Sequence, residues 1–164
     1  MSGDNNTTQQ FRTLDDLKTI IQEYEGILAR PTPNFSHPTL YRKRDVGKNE
    51  KLIKGLRLKD WFVSEDQKWV LPHDQMGLSF SSTFKNLRDV YKLKARHNPG
   101  RAVHVFWVLE KADLPPGLTF MPDQHKKGHY FLTVTEPMLL TQLVSKLKIL
   151  AQRMSVIRDV GDKL

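Results

Sequence analysis

Three short segments of the sequence carry side chains that can bind a ligand or move a proton. In Tyr41-Arg42, a guanidinium able to grip a phosphate or pyrophosphate with two parallel hydrogen bonds stands beside an aromatic ring. Ser79 lies in the segment 77–82, where hydroxyl and apolar side chains alternate, and His129-Tyr130 places an imidazole and a phenol directly after a glycine. Taken one at a time, each segment also has an ordinary structural explanation. Tyr41-Arg42 is typical of a surface arginine, 77–82 of an edge strand and His129-Tyr130 of a half-buried histidine.

The sequence lacks the motifs that mark several large classes of enzyme. It contains no P-loop, no dinucleotide-binding glycine fingerprint, no nucleophile elbow of the α/β-hydrolases and no zinc-protease motif. With no cysteine, thiol nucleophiles, disulfides and thiolate zinc sites are excluded. His125 and His129 stand four residues apart, a metal-binding spacing on a helix, but Gly128 and the apolar run after it favour a strand. We therefore expect no metal site.

Hydrophobic periodicity predicts the elements that must position these segments. Helical spacing of apolar residues predicts three helices, at 14–28, 83–96 and 137–157. Prolines predict a loop over 30–38. Short apolar and β-branched runs predict strands at 39–42, 61–63, 68–71, 77–82, 102–109, 119–121 and 129–135. Since strands and helices do not alternate regularly, we expect an α+β fold with a twisted mixed sheet and helices near both chain ends.

The strand period assigns the side chains of 129–135 to two faces. His129, Phe131 and Thr133 fall on one face, and Tyr130, Leu132 and Val134 fall on the other. Because the second set is more uniformly apolar, we expect it to face the core and His129 to open toward a cleft.

Length and charge limit the remaining possibilities. A chain of 164 residues is most simply one domain, and we expect a polar, flexible tail at 1–10 and a single domain over 11–164. No apolar run approaches the roughly 18–20 residues that cross a bilayer, and the first ten residues do not form a Sec signal. The net charge of +8 attracts polyanions such as nucleic acids, dinucleotides or acidic proteins.

Five motifs, in order from Leu40 to the C-terminus, resemble the "type six effector two" toxins of type VI secretion, which have an ADP-ribosyltransferase-like fold. The motifs are Leu40-Tyr41-Arg42, Trp69-Val70-Leu71-Pro72, Gly77-Leu78-Ser79, Leu114-Pro115-Pro116-Gly117-Leu118, and His129-Tyr130 eight residues before Pro137-Met138. The resemblance covers about three quarters of the chain, and residues 1–38 are not clearly part of it. In ADP-ribosyltransferase-like folds, an arginine or histidine on the first strand and a hydroxyl on the second hold NAD.

The resemblance implies a cytotoxic enzyme that uses NAD as substrate and attacks its nicotinamide–ribose bond. It implies catalytic roles for Ser79 and His129, and cofactor-binding roles for Tyr41, Arg42, Ser79 and Tyr130. It further implies delivery by a secretion apparatus without a Sec signal, action in the cytoplasm of a recipient cell, and a macromolecular acceptor that the sequence does not name. An immunity protein is implied as well, and against a chain of charge +8 we expect it to be acidic.

Two alternatives remain open. A non-enzymatic nucleic-acid-binding module would use Lys85, Arg88 and Lys92 with the basic stretch 43–59 to track phosphates, and Trp61 or Trp69 to stack bases. An RNA 2′-phosphotransferase-like enzyme would also bind phosphates with basic strand residues. Glu136 is a candidate catalytic acid, but it directly precedes the first turn of the last predicted helix. Because the helix dipole stabilises a carboxylate at that position, we assign Glu136 no catalytic role.

Overall fold

The computed structural model describes residues 14–23, 26–32, 38–41, 52–97 and 105–157. Three α-helices lie in these ranges, α1 (Leu14–Glu23), α2 (Phe84–His97) and α3 (Leu140–Arg153), together with a 3₁₀ helix at Lys111–Asp113. Ten strands accompany them: β1 (Ile27–Thr32), β2 (Leu52–Ile53), β3 (Leu56–Arg57), β4 (Trp69–Val70), β5 (Leu78–Ser81), β6 (Val105–Glu110), β7 (Leu118–Pro122), β8 (His129–Val134), β9 (Met138–Leu139) and β10 (Ser155–Ile157). The expected α+β class is confirmed, whereas the tail at 1–10 lies outside the described residues.

A six-stranded sheet in the order β10-β6-β1-β5-β8-β7 organises the fold. Every pairing in it is antiparallel, so the expectation of a mixed sheet is wrong for the described strands. After α3 the chain returns to the sheet and adds β10 at its edge. Two small antiparallel ladders, β2 with β3 and β4 with β9, lie outside the large sheet.

The two faces of the sheet are covered by different elements. On the face that we call the α2 face, helices α1 and α2 pack over β1, β6 and β10; its buried residues are Leu17, Ile21, Ile27, Ala29, Leu87, Val108 and Ile157. On the opposite face, the α3 face, helix α3 and the small ladders form the larger core, which includes Leu28, Trp61, Phe80, Trp107, Phe120, Leu132, Leu143 and Leu147. No helix in the described ranges is both long and apolar enough to span a bilayer.

Tertiary pairing overrides the periodicity near the N-terminus. The helix expected at 14–28 ends at Glu23, and the loop expected at 30–38 is wrong for 30–32, because β1 occupies 27–32. Residues 33–37 lie outside the described residues. This strand pairs with β6 along its whole length and with β5 at Ala29, which lies opposite Ser81. Pro31 forbids a helix there but fits extended backbone.

The strand expected at 39–42 does not form in its described part. Thr39 has a φ of +57°, which an extended strand cannot contain, and Leu40 and Tyr41 continue as a bend. Arg42 lies outside the described residues. Of the strands expected at 61–63 and 68–71, the first keeps only a bridge from Val63 to Val70 and the second shortens to β4.

The last helix is shorter at both ends than its apolar stripe. Met138 belongs to β9 and lies opposite Val70 of β4, while Ile157 belongs to β10. The helical spacing of apolar residues therefore extends beyond both ends of α3 into β9 and β10. In these strands the apolar residues are buried against other strands, so their spacing does not indicate a helix.

Candidate functional site

Ser79 and His129 lie on adjacent strands and project to the same face. Ser79 of β5 is opposite Phe131 of β8, and Ser81 is opposite His129. Directly opposed residues of an antiparallel pair share a face, and alternate residues of one strand do so too. Ser79 and His129, the two expected catalytic residues, are therefore brought together on the α2 face.

This region of the α2 face remains partly uncovered. Ser79 is exposed, while Phe131 and Met121, which lie opposite each other on β8 and β7, are half-buried. The His129 ring contacts the Phe131 ring edge-on, with centroids 4.8 Å apart and planes at 88°. We call Ser79, Met121, His129 and Phe131 the open patch. It presents a hydroxyl and an imidazole beside an apolar platform.

Asp123 supplies a carboxylate at the edge of the open patch. Its Oδ2 lies 2.8 Å from Nδ1 of His129, and the two side chains are only 13% and 11% exposed. Burial by itself raises the pKa of Asp123, but hydrogen bonds from the His125 backbone and the His129 ring, with the histidine charges, outweigh it and hold that pKa below its usual value. Sequence reasoning missed Asp123. The signal was the short segment between two predicted strands, which can bring an acid into contact with a histidine six residues later.

Close backbone contacts hold β5 and β8 in this register. The Ser82 N–H donates to the carbonyl of Gly128 at 2.8 Å, and a Cβ at Gly77 would overlap the carbonyl of Leu132. Thr83 caps α2, since its Oγ1 accepts the Asn86 N–H at 3.2 Å. The start of α2 is thereby fixed next to the end of β5 and the start of β8.

A buried polar pair lies between the open patch and α2. The Asn86 amide donates to Oγ of Ser81 at 2.7 Å, and these residues are 3% and 2% exposed. Ser81 therefore anchors the helix to the sheet, whereas Ser79, two residues earlier, keeps its hydroxyl in contact with solvent.

The expected cofactor-binding residues Tyr41 and Tyr130 belong to the opposite face. Tyr130 is opposite Phe80, and both tyrosines pack half-buried against the α3-face core. The Lys148 ammonium stands 5.9 Å from the Tyr41 ring centroid. A ligand bound on one face of the sheet thus contacts either the pair Ser79 and His129 or the pair Tyr41 and Tyr130, but not both.

The first strand of the sheet carries an arginine that the sequence reasoning did not single out. Arg30 of β1 is 7% exposed and lies opposite Trp107 on the α3 face. Its guanidinium stands 5.5 Å from the Phe80 ring centroid and donates to the Thr39 carbonyl at 3.4 Å. The apolar run Ile27-Leu28-Ala29 after Gly26 is the signal for this strand, and the prolines after Arg30 concealed it.

The described residues also bear on a metal site and contain a separate cavity. Within these ranges no three His, Cys, Asp or Glu side chains are grouped as a metal site would require. A shallow cavity of about 570 Å³ lies beside α3, with Glu136 and Lys146 in its lining. Glu136 is exposed there, and the Lys146 ammonium donates to the Pro116 carbonyl at 2.6 Å.

No protein-family model, no curated protein and no solved structure matches this chain. The resemblance to the type VI toxins is therefore carried by the five ordered sequence motifs, and the open patch has to be interpreted from its own chemistry.

Proposed function

We propose that this chain is a cytotoxic enzyme with an ADP-ribosyltransferase-like fold that uses NAD as its substrate. The reaction would break the bond between nicotinamide and ribose and transfer ADP-ribose to a macromolecule or to water. The five sequence motifs support the class of protein, and the composition of the open patch supports the class of ligand.

The open patch carries the proposal because it matches a nucleotide group by group. Phe131 and Met121 offer an apolar platform on which an aromatic ring can pack. The exposed Ser79 hydroxyl can bond a ribose hydroxyl, and His129 stands next to the place where the ribose would lie. Lys126 and Lys127, exposed on the turn that leads to His129, can attract the phosphates.

The proposal assigns the reacting end of NAD to the open patch, with Ser79 and His129 as catalytic residues. Tyr130 and Tyr41 would then have a packing role in the core of the α3 face and would not contact the ligand. The expected cofactor-binding roles of Tyr41 and Tyr130 correspond to the alternative arrangement, in which the ligand lies on the α3 face near Arg30; the expected role of Arg42 concerns a residue outside the described ranges.

Nicotinamide release from NAD by the purified chain tests the proposal directly. Ser79→Ala should reduce the release rate by at least about tenfold, because a substrate hydrogen bond is lost, and should leave Tm within a few degrees. Tyr130→Phe and the control Ser145→Ala, an exposed serine on α3, should both retain the wild-type rate. Loss of activity in Tyr130→Phe with normal activity in Ser79→Ala would place the ligand on the α3 face instead.

A toxin of this kind implies biological partners that follow from the proposal. Expression in the bacterial cytoplasm should arrest growth, and Ser79→Ala should relieve the arrest. An acidic immunity protein should neutralise the enzyme by covering the open patch. Delivery through a secretion apparatus into the cytoplasm of a recipient cell belongs to the same proposal.

Nucleic-acid binding is the second candidate, and one observation favours it. Lys85, Lys92 and Arg96 are exposed along α2, on the side of the sheet that also carries the open patch. If this is the function, binding to a generic single strand should weaken steeply with salt, and NAD should not raise Tm. Transfer of the phosphate from 2′-phosphorylated RNA to a second substrate would favour the 2′-phosphotransferase-like enzyme.

A further inference from the structure

We propose that Asp123 is the positioning residue of His129, orienting the ring so that its Nε2 accepts a proton in the reaction. This inference rests on the proposed function, and it adds a residue that the motifs do not include. Asp123 itself would touch no substrate and would act only through the imidazole.

Three hydrogen bonds hold Asp123 in place, and two of them join it to His129. Oδ2 of Asp123 is 2.8 Å from Nδ1 of His129, and Oδ1 accepts the His125 N–H at 2.7 Å. The Asp123 N–H donates to the His129 carbonyl at 2.9 Å, which closes the turn between β7 and β8. Because both carboxylate oxygens are held, the direction of the bond to His129 is determined by the backbone of the turn.

The protonation state of Asp123 decides which ring nitrogen carries the proton. Its pKa is lowered, since the bonds from His125 and His129 outweigh the effect of burial, and the group is therefore ionised at neutral pH. A carboxylate can only accept hydrogen bonds, so Nδ1 must be the protonated nitrogen. In the neutral ring this leaves the lone pair on Nε2.

The surroundings of the ring leave Nε2 as its functional atom. Phe131 contacts the ring edge-on, with centroids 4.8 Å apart, and limits its rotation. Within the described ranges, the hydrogen bond at Nδ1 is the ring's one polar contact with a side chain. The side chain keeps 11% of its surface exposed, on the face that carries Ser79.

The chemical step follows from this arrangement. An oxygen of water or of an acceptor hydroxyl bonds to C1′ of the ribose, while the C1′–N bond breaks and its electron pair leaves with nicotinamide. The proton of the attacking oxygen moves to Nε2, giving an imidazolium. The bond from Nδ1–H to the Asp123 carboxylate stabilises that cation, as an Asp–His pair does in general-base catalysis.

A merely structural Asp–His pair would predict a different set of results, and Asp123→Asn separates the two. On our proposal, kcat for nicotinamide release falls by about 10²–10⁴-fold while KM for NAD changes by less than about threefold. The ¹⁵N shifts of the His129 ring, measured on the folded proteins, should report the Nδ1–H tautomer in the wild type and a mixture in Asp123→Asn. The matched control is Asp74→Asn, because Asp74 lies 3.7 Å from His73 in an exposed pair. It should keep both parameters.

Each arm can overturn the inference separately. An unchanged kcat in folded Asp123→Asn, or an Nε2–H tautomer in the wild type, would show that the pair only fastens the turn. If Asp123→Asn does not fold, the tautomer in the wild type and the activity of Asp123→Glu, which restores a carboxylate, still decide. A wild-type protein that shows the Nδ1–H tautomer but releases no nicotinamide would refute the proposed reaction, and with it the catalytic use of the pair.

Discussion

Gly128 and Thr83 are so close that a Cβ on Gly128 would lie 2.5 Å from Oγ1 of Thr83. Thr83 is the residue that caps α2, and Gly128 immediately precedes His129 at the start of β8. This contact therefore joins the first turn of a helix to the strand that presents the imidazole. The position of His129 relative to Ser79 depends on the absence of a side chain at residue 128.

Gly128→Ala should destabilise the protein more than the corresponding change at Gly26. Both glycines have positive φ, +83° and +91°, which costs a non-glycine residue about 1–2 kcal/mol. Only Gly128 adds an overlap with Thr83, because the nearest atom to a Cβ at Gly26 is 3.6 Å away. Urea unfolding should show a loss of about 3 kcal/mol for Gly128→Ala and about 1 kcal/mol for Gly26→Ala. Equal losses would mean that the contact with Thr83 relaxes without cost.

Ser81→Ala should destabilise the protein while Ser79→Ala does not. Removing the buried Ser81 hydroxyl leaves the Asn86 amide without its acceptor, at a cost of about 1–3 kcal/mol. Because Ser79 is exposed, Ser79→Ala should lower the free energy of unfolding by less than about 0.5 kcal/mol. Denaturant midpoints of the two variants measure the difference, and a large loss in Ser79→Ala would contradict its assignment to the open patch.

Leu132 and Phe131, neighbours on β8, should separate stability from ligand binding. Leu132 is fully buried in the α3-face core, as the strand period predicted, so Leu132→Ala should cost about 2–5 kcal/mol through the cavity it leaves. Phe131→Ala should reduce the free energy of unfolding by less, because Phe131 is only half-buried. It should raise KM for NAD by about tenfold, because the apolar platform is lost. If instead Leu132→Ala mainly raised KM and Phe131→Ala mainly lowered stability, the ligand would have to lie on the α3 face.

Acid titration should reveal the stabilising charge of Asp123. Because the pKa of Asp123 is lowered in the folded protein, the unfolded chain binds the proton more readily, and stability falls as pH drops below the usual value of 3.8. The free-energy gap between wild type and Asp123→Asn should therefore shrink as the pH falls below about 4. A gap that does not change over this range would show that the charge contributes nothing.

Glu110 should behave in the opposite way. Burial, assisted by the charge of Asp113, raises its pKa above the usual 4.5, so the folded protein binds the proton more readily and loses stability as pH rises through that pKa. Glu110→Gln should consequently have a higher Tm than the wild type at neutral pH, and the advantage should disappear below about pH 4. A lower Tm at neutral pH would indicate that the ionised carboxylate has a stabilising partner.

The local signals of the sequence were sufficient for the elements that are decided by nearby residues. The helix α2, the strand β5 and the strand β8 after Gly128 all form where periodicity and the turn residues predicted them. The alternation along β8 also predicted that Leu132 and Val134 face the core. Thr133 is buried as well, at 3%, because the end of that strand is covered on both faces.

Only the tertiary structure decided which residues share a face and which segments pair. The segment 27–32 is a strand because β5 and β6 supply hydrogen-bonding partners that lie about 50 and 80 residues away, respectively, a choice that no local pattern around Pro31 records. The same pairing turns Arg30 toward the α3 face, and the register of β5 with β8 separates Ser79 and His129 from Tyr130. Asp123 meets His129 because the turn between β7 and β8 folds back on itself. Residue types are written in the sequence, but which of them meet is set by strand register, where a shift of one position exchanges the two faces of a sheet.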